Sequence, residues 1–228
     1  MEPGSVASSR ALDKMLTIPN ISPETMKKRA HEPTRRRRPA AETREQVLDV
    51  AHELFYWQGI RASGIDRIAA EAGVAPTALY RLFPSKDALV SAYIERAERR
   101  YYDWFDAAIA DASRSPAERI LALFDALATQ VRPEVCRGCP FLMALTELPD
   151  EHLDAHRAAV RVKEWVRARF KRLAREHLAS RSNRADSAAL ADHLTLVFEG
   201  VYASVQALGA DGPAKRARQL AASLLAAP

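Results

Sequence analysis

Two short stretches carry residues whose chemistry could be more than structural. Cys136-Arg137-Gly138-Cys139 is a Cys-x-x-Cys, and Glu151, His152, Asp154 and His156 cluster soon after it. Zinc needs four ligands, and a thioredoxin-type site needs a strand-helix setting, so the Cys-x-x-Cys alone supports neither. Arg137 beside the thiols leaves a redox switch open. The other reading is a helix junction with two small buried thiols. His152 and His156 are four apart and would share a helix face, where they could hold a metal. An acidic, solvated helix start explains the same residues, because carboxylates there suit the helix dipole. Neither stretch implies a metal or cofactor, and no glycine-rich phosphate loop or nucleophilic serine elbow occurs, so catalysis is unsupported.

The third chemical feature is charge. The chain has 228 residues and a net charge of +5. Lys27, Lys28, Arg29 and Arg35 to Arg38, offset by Glu32, account for all of it and leave the remainder slightly negative. One basic arm suggests a polyanionic partner, with a solvated tail as the alternative. Residues 1–42 read as a tail, broken by Pro19, Pro23, Pro33 and Pro39. Met15 and Met26 are further candidate translation starts. Two cysteines imply no disulfide framework and fit a reducing cytoplasm. No apolar run reaches the ~18 residues of a membrane span, and the N-terminus lacks a secretory h-region.

The elements that must position these groups all read as helices. Thr43 to Gln46 resembles a capping box, and Val47, Leu48, Ala51, Leu54 and Phe55 follow at helical spacing until Gly59. Ser63 can cap a second, short helix carrying Ile65, Ile68, Ala69 and Ala72. Gly73 supplies a turn, and Pro76 opens a third helix with Leu79, Tyr80 and Phe83. Pro84 stops it, and Ser85 caps a fourth from Lys86. Further on, Ser115-Pro116-Ala117-Glu118 starts a helix to about Val131. A short one covers Phe141 to Leu148, and a long one follows Pro149-Asp150 to about Leu178. Another begins within Asn183 to Asp186 and ends near Gly209, and Pro213 opens the last. The fold class is all-α, with no alternating strand pattern.

Two short helices about a glycine turn make a helix-turn-helix, whose second helix enters the major groove. Gly59, Ile65-Asp66-Arg67-Ile68-Ala69, Ala72-Gly73-Val74, Leu79-Tyr80, Phe83, Ser85-Lys86 and Leu89 together resemble the signature of the tetracycline-repressor (TetR) family. After the basic tail over 1–42, the resemblance implies a DNA-binding domain over 43–90 and an effector-binding and dimerisation domain over 91–228. It implies that Thr43, Arg44, Ser63 and Arg67 lie near phosphates. It also implies that Pro76, Thr77 and Arg81 face bases or adjacent phosphates, and that Tyr80 and Lys86 hold phosphates. Ala75, Ala78 and Gly64 depart from common family residues. Ala75 deprives the third helix of a hydroxyl cap, a loss of ~1 kcal/mol.

For the C-terminal part, the resemblance implies a small-molecule effector and a homodimer built on the last two long helices. Leu190, Leu194, Val197, Val201, Val205 and Leu208 form an apolar stripe suited to a partner helix, or to an internal core. Trp104, Phe124, Phe141, Met143, Trp165, Phe170, Phe198 and Tyr202 are candidate lining for a lipophilic ligand. The implied function is a repressor that leaves a palindromic operator in double-stranded DNA when ligand binds. The alternatives are a DNA-binding regulator without a ligand, and a thiol redox sensor through Cys136 and Cys139.

Overall fold

The computed structural model describes residues 39–180 and 186–227. Nine α-helices follow one another among these residues, with no strand. They are α1 (Ala40–Gln58), α2 (Ile65–Glu71), α3 (Pro76–Leu82), α4 (Lys86–Ala108), α5 (Pro116–Gln130), α6 (Pro140–Glu147), α7 (Asp154–Ser180), α8 (Ser187–Leu208) and α9 (Ala217–Ala226). The all-α class and the element order expected from the sequence are both present. The basic arm at Lys27 to Arg38 lies outside the described residues.

Local chemistry sets most of the helix ends. Ser85 accepts from the Ala88 amide at the start of α4. Ser115 and Glu118 form a reciprocal capping box at α5, and Pro116 needs no amide partner there. Asp186 caps α8 by accepting from Ala188 N. Gly73 follows α2 at φ +61°, and the Val74 amide turns back onto the Ala69 carbonyl at 3.0 Å. A side chain is strained in that left-handed conformation, so the tight bend between α2 and α3 depends on glycine.

Three starts differ from expectation. Helix α1 begins at Ala40, not Thr43, so no capping box forms. Thr43 sits inside the first turn and donates to Pro39 O, while Gln46 reaches away to Ala72 O at 2.7 Å. Gly64, not Ser63, is the N-cap of α2. Helix α7 begins at Asp154, because Asp150 holds a turn by accepting from the His152 amide.

The first three helices pack around Val47, Leu48, Leu54, Phe55, Ile68, Leu79 and Phe83, all buried. Helix α4 then runs unbroken from this unit into the C-terminal bundle, where the central α7 packs against α4, α5, α6 and α8. The bundle core is aromatic. Phe198 lies 5.5 Å from Phe170 and 5.8 Å from Phe124, centroid to centroid, and Phe105 lies 5.0 Å from Trp165. Such edge-on packing makes each ring expensive to remove, about 3–5 kcal/mol for truncation to alanine.

Candidate nucleic-acid interface

The helix-turn-helix presents α3 outward. Leu79 anchors its inner face with no exposed surface, while Pro76, Thr77, Tyr80 and Arg81 are exposed on the other. Thr77, Tyr80 and Arg81 are three and four apart and share one face of the helix. Tyr80 leaves 47% of its surface open. Ala75 caps α3 with no side-chain hydrogen bond, as its methyl group dictates, and Pro76 occupies the first helical position.

Other sequence-derived residues flank α3. The Arg44 guanidinium lies 5.0 Å from the centroid of the Phe83 ring, at the end of α3, and pairs loosely with Glu45 at 3.8 Å. Thr43 is half-buried one position before it. Lys86 donates to the Arg61 carbonyl at 3.3 Å, which leaves two ammonium protons uncommitted by that bond. Arg67 is half-exposed but already engaged, by Glu71 at 2.7 Å and Gln58 at 2.5 Å. To touch a phosphate it must exchange these partners.

Ser63 does not fit the phosphate role. It is fully buried and donates to the Gly59 carbonyl at 2.8 Å. Its hydroxyl closes the turn between α1 and α2 and has no path to DNA.

The α1–α2 turn is also held from the C-terminal bundle, which spacing alone did not reveal. The Arg61 amide donates to Glu147 Oε2 and its guanidinium to the Glu147 carbonyl, both at 2.8 Å. Tyr56 makes a second bridge. Its hydroxyl donates to Gly138 O at 2.9 Å and accepts from the amides of Arg137 and Gly138 at 2.8 and 3.2 Å. Arg137 returns a bond to the Tyr56 carbonyl at 2.8 Å. Arg96 makes a third: it is buried, donates to Leu48 O at 2.5 Å and pairs with Asp49 at 2.7 Å. These contacts fix α1, and through it α3, relative to the bundle.

In the bundle, the expected pocket residues fall into two groups. Trp104, Phe124, Phe141, Phe170, Phe198 and Tyr202 are buried together, whereas Met143 and Trp165 are half-buried at the edge. The Trp104 indole nitrogen has no hydrogen-bond partner among the described residues. A buried N–H left so costs about 1–3 kcal/mol, and such groups ask for an acceptor. A cavity of about 510 Å³ lies elsewhere, between the helix-turn-helix and the α6–α7 connection, lined in part by Arg44, Phe83, Ser85, Leu148 and His152.

The expected dimer stripe points mostly inward. Leu194, Val201 and Val205 are buried, Leu190 and Val197 are half-buried against the protomer's own core, and Leu208 alone of the six is exposed. All of them but Leu208 lie in or against the protomer's own core, as the alternative of an internal stripe has it. The open face of α8 carries Ala189, His193, Leu196, Gly200, Ala203 and Ala207, in steps of four and three, with Leu196 71% exposed. Beside it, α9 exposes Leu220.

The cysteines are buried at the α5–α6 junction, and Cys139 is the N-cap of α6. His152 and His156 do not share a helix face, because His152 precedes α7; His156 Nδ1 instead meets Leu148 O at 2.8 Å. No cluster of metal-binding side chains occurs among the described residues. No helix among them is long and apolar enough to cross a membrane.

Comparison with known proteins agrees with this geometry. Residues 47–93 match the model for bacterial regulatory proteins of the tetR family, and residues 116–221 match the tetracyclin repressor-like C-terminal domain. A solved structure assigned as a TetR transcriptional regulator, from Streptomyces avermitilis, is 31% identical over 80% of this chain and 96% of its own, with a TM-score of 0.68. A TetR-family regulator from Streptomyces coelicolor is 29% identical over 81% of this chain and 93% of its own, with a TM-score of 0.71. An HTH-type transcriptional regulator of Mycobacterium tuberculosis is 37% identical over 88 residues, 39% of this chain; the match spans 43% of that relative. The chain belongs to the TetR family of bacterial transcriptional regulators, with a helix-turn-helix DNA-binding domain.

Proposed function

We propose that this regulator is a cytoplasmic homodimeric repressor that leaves a palindromic operator when a small, lipophilic effector binds its C-terminal bundle. The observation that supports this best is the outward face of α3, where Thr77, Tyr80 and Arg81 stand exposed on a helix anchored by Leu79. Thr77 and Arg81 read base edges, with Pro76 in van der Waals reach. Tyr80, Lys86, Arg44 and Thr43 hold phosphates. Phosphate contacts set register and base contacts set sequence.

A palindrome is read by a two-fold dimer. The open seam of α8, from Ala189 through Leu196 and Gly200 to Ala207, replaces the buried stripe as the dimer contact. Its small residues let two helices approach closely, and Leu220 of α9 extends it.

The effector site is assigned around Trp104, whose unpartnered indole N–H sits within the aromatic cluster. An apolar ligand with one hydrogen-bond acceptor suits it. The effector must bind the DNA-incompetent arrangement more tightly than the competent one, or it shifts nothing. The bridges at Tyr56, Arg61 and Arg96 are the route by which a change in the bundle moves α1 and α3.

The test is to purify the protein with the chromosomal DNA it retains and sequence that DNA. Recovery of a few discrete symmetric sites supports the reading. Recovery of random fragments, or of none, contradicts it.

A further inference from the structure

A thiol, an ammonium and a carboxylate meet where α6, α7 and α8 come together, and a second thiol lies three residues before the first. Cys136 and Cys139 lie on one short loop, both free and buried. Lys163 of α7 donates to Cys139 Sγ at 3.1 Å and to the two Glu199 carboxylate oxygens at 2.9 and 2.7 Å. Burial works against the Lys163 charge, but Cys139 and Glu199 outweigh it and hold the group as an ammonium. An ion pair that merely tied α7 to α8 would need no sulfur. Here one cation faces both a carboxylate and a thiol, and it can stabilise negative charge as that develops on Cys139.

The same loop is the one that Tyr56 grips. The Tyr56 hydroxyl lies 3.7 Å from Cys136 Sγ as well as bonding Gly138 and Arg137. Gly138 holds φ +147°, a backbone conformation that side chains rarely adopt. The turn that brings the two cysteines onto one loop therefore depends on glycine, and its carbonyl and amide are wired to the DNA-binding unit.

We propose that Cys139 is a modification site for small hydroperoxides. Cys136 acts as the resolving thiol, Lys163 as the charge-stabilising partner, and Tyr56 carries the change to the helix-turn-helix. The Cys139 sulfur attacks the peroxide: an S–O bond forms, the O–O bond breaks, and the departing oxygen takes the thiol's proton and leaves as water or alcohol. The Cys136 thiol then attacks the sulfenic sulfur. An S–S bond forms, the S–O bond breaks, and the oxygen leaves as water with the Cys136 proton. Two thiols lose two electrons to one peroxide. Burial pushes the Cys136 thiol up, so it stays protonated and leaves the first attack to Cys139. Both sulfurs are buried, so the reagent must be small, as hydrogen peroxide is. Closing the disulfide pulls on Arg137 and Gly138, the atoms that Tyr56 holds.

The coupling step rests on the regulator reading, but the thiol chemistry does not, so the two are read separately. Full-length reduced protein is treated with hydrogen peroxide without DNA and followed by intact mass. The expected result is loss of two hydrogens within one chain, restored by dithiothreitol. Cys136→Ser should gain one oxygen by intact mass, mapped to Cys139 as the sulfenic acid, and Cys139→Ser should give neither product. Lys163→Met should slow the reaction about tenfold, and Lys163→Arg should largely restore it. A Lys163→Met, Glu199→Gln double variant covers the case in which the unpaired carboxylate unfolds the single one. No mass change, a disulfide between chains, or a first adduct on Cys136 would overturn the site. An unchanged rate in every folded Lys163 variant would overturn the role of the lysine. With the site intact, peroxide should release retained DNA from the parent and not from Cys139→Ser. A disulfide that forms without release would overturn the coupling while leaving DNA binding itself untouched.

Discussion

The Tyr56 hydroxyl donates to the Gly138 carbonyl at 2.9 Å and so joins the first helix of the DNA-binding unit to the loop before α6. The same oxygen accepts two amides of that loop. Burial pushes the phenol well above its ordinary range, so it stays a neutral donor at any physiological pH. Tyr56→Phe removes the oxygen and strands one carbonyl and two amides. The expected loss is about 1–3 kcal/mol of stability, measured by urea unfolding with an unchanged slope. A variant as stable as the parent would mean that these hydrogen bonds add nothing to the stability of the fold.

Acid should destabilise the same region through His52. This ring stacks on Tyr56 at 5.5 Å, and its pKa is lowered to about 4, first by burial and then by Arg96 and Arg100, against a smaller opposing effect of Asp49. The unfolded chain takes up the proton near 6.5, while the fold keeps the ring neutral. Stability is therefore full above pH 6.5, falls as pH drops from there towards 4, and levels off below, a loss of roughly 3 kcal/mol. Glu53, whose carboxyl is pushed up from 4.5 by burial and then by Asp49, acts in the opposite sense just above pH 4.5, within the same range. His52→Phe keeps a stacked ring and cannot titrate, so its stability should be flatter between pH 6.5 and 4. An equal acid limb in both proteins would assign the effect to other groups.

The dimer seam separates cleanly from the core. A Cβ at Gly200 meets nothing within 4 Å in the protomer, and Leu196 is open to solvent. Gly200→Leu and Leu196→Arg should leave helicity intact and give monomers in sedimentation. Val201→Arg places a charge in the buried interior and should unfold the bundle, by several kcal/mol. Folded dimers of Gly200→Leu and Leu196→Arg would place the interface on another face.

The architecture was legible because its signals are local. Gly73, Pro76, Ser85, Ser115 and Asp186 each satisfy or end a specific helix terminus, and the sequence shows them without knowledge of the fold. The face of α8 was not legible. Leu194 and Val201 lie two turns apart, as do Leu196 and Ala203, and a helix apolar on both sides gives periodicity no means to choose core from seam. Ser63 misled because a serine before a helix can cap, yet it can equally bond backward to Gly59. The bridges Tyr56–Gly138, Arg61–Glu147 and Lys163–Cys139 join residues far apart in sequence, and no spacing rule could pair them.

The most direct test of the whole account is selection from a randomised double-stranded DNA pool, run with the parent, Thr77 variants, Tyr80→Phe and Lys86→Ala. Circular dichroism first confirms that each variant is folded. The parent should enrich a two-fold symmetric site. Thr77 variants should change the preferred base at one position in each half-site, where a mismatch costs ~1–3 kcal/mol. Tyr80→Phe and Lys86→Ala should keep the parent's sequence and weaken binding to all DNA alike, Lys86→Ala with a shallower salt dependence. No symmetric site for the parent, or a base preference that ignores every Thr77 substitution, would contradict the assignment of α3 as the helix that reads DNA.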